Sequence, residues 1–265
     1  MTTIPTDQAR FADLLVAEWI KIRSLRSLYG LFALGLIIAV ASAWFEGSHV
    51  RVAPGAASYF SPLIYPFNDL TWTFLAVLSA SFGALTVAGE YFSGLIRTTF
   101  AAVPSRRRVI GARALILTSV MALFGLVDAV ASVPVAGAAL SGQLTGLSLT
   151  NASVLRAVLA STLLLVVAAL IGMSIGALIR HPAAAVTTAW AALLFLPELL
   201  GSGTVNLPSL AEGAPLSIWT AIADTQAHSP HPAPLPSTPV AWILYLAWPL
   251  AALAVTVVVV ERRDA

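Results

Sequence analysis

Six apolar stretches, at residues 28–45, 70–89, 114–136, 157–179, 182–200 and 240–260, run through this chain. A helix needs about 20 apolar residues to cross a hydrocarbon core roughly 30 Å thick. Within that core every backbone polar group must be satisfied by the chain itself, which leaves helices or closed barrels. A barrel would alternate apolar and polar residues in segments of about ten, and no such alternation is present. The expected fold class is an all-α membrane protein with six transmembrane helices. The fifth stretch is the weakest, because Pro182 opens it and Pro197-Glu198 closes it. Composition agrees: only 10% of the 265 residues are charged and 58% are hydrophobic, whereas a soluble domain carries roughly 25% charged residues.

The charges are few, so their placement is informative. With six spans, both termini and the second and fourth loops share one side. Arg10, Lys21, Arg23, Arg26, Arg97, Arg106, Arg107, Arg108, Arg113, Arg180, Arg262 and Arg263 lie there; only Arg51 and Arg156 lie on the other. Basic loops stay in the cytoplasm, so a twelve-to-two split puts both termini inside a multi-pass cytoplasmic membrane protein. Tyr59, Phe60, Tyr65, Phe67, Trp72, Trp44 and Trp242 then fall near the outer interface, where aromatic rings gather. Ala41-Ser42-Ala43 resembles a signal-peptide cleavage site, but the preceding segment is long and holds Asp7, Asp13 and Glu18; an uncleaved first span is the expectation. The net charge of +2 gives no argument for nucleic acid. The absence of cysteine excludes disulfides and thiol chemistry. Thirteen arginines against one lysine, with many alanines, point to a GC-rich bacterial genome.

Two segments stand out on the basic side. Residues 1–27 form a cytoplasmic N-terminus in which Phe11, Leu15, Trp19 and Ile22 recur at helical spacing. Asp13, Glu18, Lys21 and Ser24 fall largely away from them. This pattern predicts an amphipathic interfacial helix with Lys21, Arg23 and Arg26 toward phospholipid headgroups. The loop 90–113 follows the second span. On a helix from 90 to 103, Phe92, Ile96 and Phe100 make one stripe; Glu90, Ser93 and Arg97 face the other way, with Gly94 leaving room for close approach. Pro104 stops that helix, and Arg106 to Arg108 follow. Topology alone explains the three arginines. It does not require Glu90, Gly94 or an amphipathic helix, which favours a protein-contacting role.

At these residues the chain resembles the permease subunits of ABC-2 type transporters. The opening EWIKIRSLRS fits, as do Gly89-Glu90, Gly94, Arg97-Thr98, Pro104, Arg106 to Arg108, Arg113, Gly176 and Arg180. The pattern departs at Leu95, where a threonine is common. The resemblance extends over the six-span plan. It implies a homo- or heterodimeric permease without enzymatic activity, usually an exporter. A coupling helix, comprising Glu90, Ser93, Gly94, Arg97, Thr98, Pro104 and Arg106, would seat in a separate ATP-binding cassette subunit. The interfacial helix, with Glu18, Trp19, Lys21, Arg23 and Arg26, would border the same contact. ATP and its magnesium ion would bind the partner subunit and no cofactor this chain. Independently, a phosphate-binding loop needs G-x-x-x-x-G-K-[ST], and the sole lysine, Lys21, has no such context.

Asp128 is the acid well inside a span. Buried charges there usually face the interior or water. It could line a pathway, relay protons, or hydrogen-bond a neighbouring helix. His49 lies far in sequence from His228 and His231, and the three show no diagnostic metal spacing. The membrane domain spans 28–260, with an outer loop at 201–239 and a cytoplasmic tail at 261–265. Residues 207–223 are apolar enough to dip into the membrane or cap the bundle. A proton-coupled secondary transporter and a non-transporting scaffold or sensor remain as alternatives.

Overall fold

The computed structural model describes residues 10–49, 61–103, 105–140, 147–201, 211–225 and 238–263. Pro104, Arg51, Tyr59, Phe60, His228, His231 and most of the 201–239 loop lie outside these residues. The described residues are mostly helical, and none of them is in a strand. In chain order the helices are α1 (Phe11–Ser24), α2 (Arg26–His49), α3 (Asp69–Ser93), α4 (Leu95–Ala102), α5 (Arg106–Ala139), α6 (Ala152–Ile179), α7 (Pro182–Trp190), α8 (Leu196–Gly201), α9 (Pro215–Ala223) and α10 (Thr238–Arg263). Six stretches are long and apolar enough to cross a membrane: α2, α3, α5, α6, the α7–α8 run and α10. The chain is thus an all-helical, multi-pass membrane protein.

The α3–α6 pair forms the centre. Lipid supplies no hydrophobic drive between helices, so small residues that let backbones approach matter most. Gly83 packs on the Ala169 carbonyl and Gly172 on the Ala80 carbonyl; a methyl group on either glycine would overlap the facing oxygen. Helix α5 packs along α6, where Gly125 meets the Thr162 backbone. Helices α2 and α10 lie at the periphery and keep most of their apolar residues outward.

The fifth span departs from a plain helix. Pro197 has no N–H for the carbonyl four residues back, and its ring crowds that position. The chain widens into a π-helical turn at Ala191–Phe195 just before it. On the side opposite the basic loops, α9 inserts as an apolar cap. Ile218, Trp219 and Ile222 are buried, and the Trp219 indole N–H donates to Ser161 Oγ at 2.9 Å. Tyr65, Phe67 and Trp72 sit at that end but are buried, not spread along the interface. Trp72 Nε1 donates to the Pro66 carbonyl, and its ring lies 6.2 Å from that of Trp219. A ring whose polar atom finds an internal acceptor has no need of interfacial water.

Candidate functional site

The basic residues converge at one end of the bundle. Helix α5 has 34 residues, or about 51 Å of helix, well beyond a hydrocarbon core of roughly 30 Å. The excess allows its first turns to project past the hydrocarbon. Arg106, Arg107 and Arg108 belong to these turns and not to a loop after a turn. Positive charge at a helix N-terminus opposes the helix dipole, and local partners offset this. Arg107 pairs with Glu261 near the end of α10. The Arg106 guanidinium lies 5.4 Å from the centre of the Phe100 ring.

About two turns beyond Arg106 on α5 is a four-charge network. Arg113 is 1% exposed and Glu18 is 5% exposed. Arg113 Nε donates to Glu18 Oε2 at 3.0 Å and Nη2 to Glu18 Oε1 at 3.3 Å. Nη2 also pairs with Glu90 Oε2 at 2.5 Å, and Nη1 donates to the Thr86 carbonyl at 3.1 Å. Lys21 Nζ bridges the two acids, 2.7 Å from Glu18 and 2.9 Å from Glu90. Two cations and two anions thus fasten α1, the end of α3 and the start of α5 together. Burial alone would raise the Glu18 pKa; the Arg113 and Lys21 contacts outweigh it and hold the carboxyl below its ordinary value.

This network changes the expected face of α1. Its buried residues are Leu14, Glu18 and Ile22, with Leu14 packed on Val109 and Ala112 of α5. Phe11 and Trp19 are instead exposed. Glu18 turns inward because Arg113 supplies a buried counter-charge, which hydropathy along α1 alone does not reveal. Lys21, Arg23 and Arg26 lie on the outer side, though Lys21 reaches back to the two acids.

The 90–103 segment also differs from one continuous helix. Helix α3 ends at Ser93, and Gly94 takes φ +76° as the junction to α4. Nothing lies within 4 Å of a methyl built on Gly94; the glycine answers a left-handed backbone and not a close approach. Glu90 therefore sits on α3, held by Lys21 and Arg113, while Arg97 and Thr98 sit on α4. Ile96 is buried and Phe100 packs toward α1 and α5. Leu95, Arg97 and Thr98 face outward, Leu95 at 57% exposure. Thr98 and Thr99 hydroxyls donate to the Leu95 carbonyl, and Ser93 Oγ donates to the Gly89 carbonyl.

The α6–α7 junction meets the same region. Arg180, at φ 59°, stacks its guanidinium 4.4 Å from the Tyr91 ring centre. His181 meets Phe92 edge-on at 5.8 Å. Phe92 is nonetheless 72% exposed. Asp128 is far from this assembly in sequence, inside α5. It is fully buried, and its carboxylate oxygens have no hydrogen-bond partner among the described residues. Among the described residues no cluster of three metal-ligating side chains occurs.

The site therefore brings together Glu18, Lys21, Glu90 and Arg113 as an internal clamp and leaves α4 on its outer edge. The role of Arg113 was not legible in the sequence beyond its place before the third span. Its three polar partners come from residues 18, 86 and 90, which share no local pattern with it. Comparison with protein-family models and with curated protein sequences gave no match.

Proposed function

We propose that this chain is the permease subunit of an ABC-2 type exporter in the cytoplasmic membrane. Both termini face the cytoplasm, and α4 docks on a separate ATP-binding cassette subunit that holds ATP and magnesium. A second permease, identical or not, completes the pathway. The observation that carries this reading is the placement of α4. It is a short helix whose inner face is anchored by Ile96 and Phe100, and whose outer residues Leu95, Arg97 and Thr98 are exposed and make no tertiary hydrogen bond or ion pair among the described residues.

The adjoining clamp suits a lever. A push on α4 acts on α3 through Gly94 and on α5 through the short link beginning at Val103. Glu18, Lys21, Glu90 and Arg113 bind those two helices to α1, so the three move together. Glu90 belongs to the lever and not to the contact surface in this reading. Trp19, Arg23 and Arg26 keep α1 at the membrane surface as it moves.

The Arg97→Glu variant tests the contact. It should reduce co-purification of the ATPase subunit about tenfold, equivalent to roughly 1.4 kcal/mol, while membrane insertion and thermal unfolding stay as in the parent. Unchanged co-purification from correctly inserted protein would remove α4 as the docking element. One observation favours a second reading: the partnerless buried carboxylate of Asp128 suits a proton-coupled secondary transporter. That reading expects gradient-driven flux without any ATPase, abolished by Asp128→Asn.

A further inference from the structure

Between α1, α2 and α5 lies a cleft of about 320 Å³, near the lower end of the roughly 300–1,000 Å³ range of small-molecule sites. Trp19 and Arg23 of α1, Tyr29 and Phe32 of α2, and Val120 and Leu123 of α5 wall it. Its lining is mostly apolar, and Arg23 is its charged member. Tyr29 and Leu123 are also exposed on the outside of the bundle, so the cleft opens sideways between two spans.

On α5 the lining runs from Ser119 to Leu123, about 6 Å of helix. Leu123 lies ten residues beyond Arg113 on α5, about 15 Å of helix, or half of a hydrocarbon core roughly 30 Å thick. Arg23 supplies the charged end of the cleft. Lys21, Arg107 and Arg113 each have carboxylate partners. Arg23 and Arg26 are exposed and have no ion-pair partner among the described residues. Guanidinium groups match phosphate oxygens in geometry and charge, and an indole such as Trp19 suits the headgroup layer.

We infer that this cleft holds an acyl chain of one anionic phospholipid, whose phosphate rests on Arg23, the charged residue of its lining. Occupancy would fix α1 against α2 on the side away from the Glu18–Arg113 clamp. It depends on membrane insertion and on no ATPase, so it stands apart from the transport reading.

The chain lacks cysteine, which permits a clean probe. Ser119 lines the cleft; Ser119→Cys carrying a bimane label would report on the occupant, in full-length protein in phosphatidylcholine nanodiscs. Brominated phosphatidylglycerol should quench the label with saturation at a low mole fraction. Unbrominated phosphatidylglycerol should reverse the quenching, whereas inorganic phosphate should not. Brominated phosphatidylcholine should quench only in proportion to its bulk share. The Arg23→Gln variant should raise the half-quenching fraction about tenfold, consistent with loss of a charge-assisted contact. A label at Leu250→Cys, exposed on α10, should show no lipid preference. Equal quenching by both lipids at Ser119→Cys, an equal preference at Leu250→Cys, reversal by inorganic phosphate, or an unchanged Arg23→Gln variant would each overturn the assignment.

Discussion

Removing the Arg113 guanidinium should be the most damaging single change at the basic end. Arg113→Met preserves much of the side-chain volume but withdraws the cation shared by Glu18 and Glu90. Breaking a buried ion pair by deleting one partner costs about 3–5 kcal/mol, because the other charge is stranded. Two features place this case near the lower figure, about 3 kcal/mol. Lys21 still reaches both carboxylates, and the Thr86 carbonyl lies within the helical hydrogen-bond ladder of α3. The assay is equilibrium unfolding in mixed micelles titrated with dodecyl sulfate, followed by tryptophan fluorescence. Adding Glu18→Gln to Arg113→Met should restore about 1–3 kcal/mol, since the stranded acid is then gone; coupling of this size is usual for residues in one network. An Arg113→Met protein within about 0.5 kcal/mol of the parent, the range of ordinary surface changes, would refute the clamp. So would strict additivity of the two substitutions.

Further outcomes follow from the same geometry. Glu18 has a folded-state pKa below its ordinary value of 4.5, so its contribution is complete above that value and lost as pH falls through the folded pKa. The stability gap between the parent and Glu18→Gln should therefore be flat from neutral pH down to about 5 and close below pH 4.5; a gap that widens on acidification contradicts the ion pairing. Gly94→Ala meets no steric obstacle but must hold φ +76°, a strain of about 1–2 kcal/mol. It should leave the bundle folded and, under the proposed docking of α4 on an ATPase, reduce ATP hydrolysis more than Gly94→Asn, which tolerates that conformation. Equal activity in both variants would show that the bend is dispensable. Ser105→Cys should resist an impermeant thiol reagent added outside intact cells and react after permeabilisation; outside labelling would invert the proposed orientation.

The sequence showed the spans well because hydrocarbon imposes a simple rule on length and polarity. All six apolar stretches coincide with helices, and the ends shift by a few residues except at α5, which begins eight residues early. That shift arises because Arg106 to Arg108 remain helical when Phe100 and Glu261 supply partners. The interior of the basic end was much less legible. Hydropathy assigned Glu18 and Glu90 to outward faces, because a lone carboxylate is costly to bury. Arg113 reverses that cost, and for Glu18 the reversal depends on a contact across 95 residues of chain. Gly94 was visible as a special position, but its cause was not: absence of a side chain signals close approach and a left-handed backbone alike. The cap formed by Trp219 on Ser161 likewise depends on a long-range partner.

Purification of the chain from its native membranes in mild detergent addresses transport by ATP most directly. The bound polypeptides should include an equimolar ATPase with its own phosphate-binding loop, and the complex should hydrolyse ATP. Complete recovery of active, substrate-moving permease with no ATPase attached, in membranes energised only by an ion gradient, would contradict an ABC exporter.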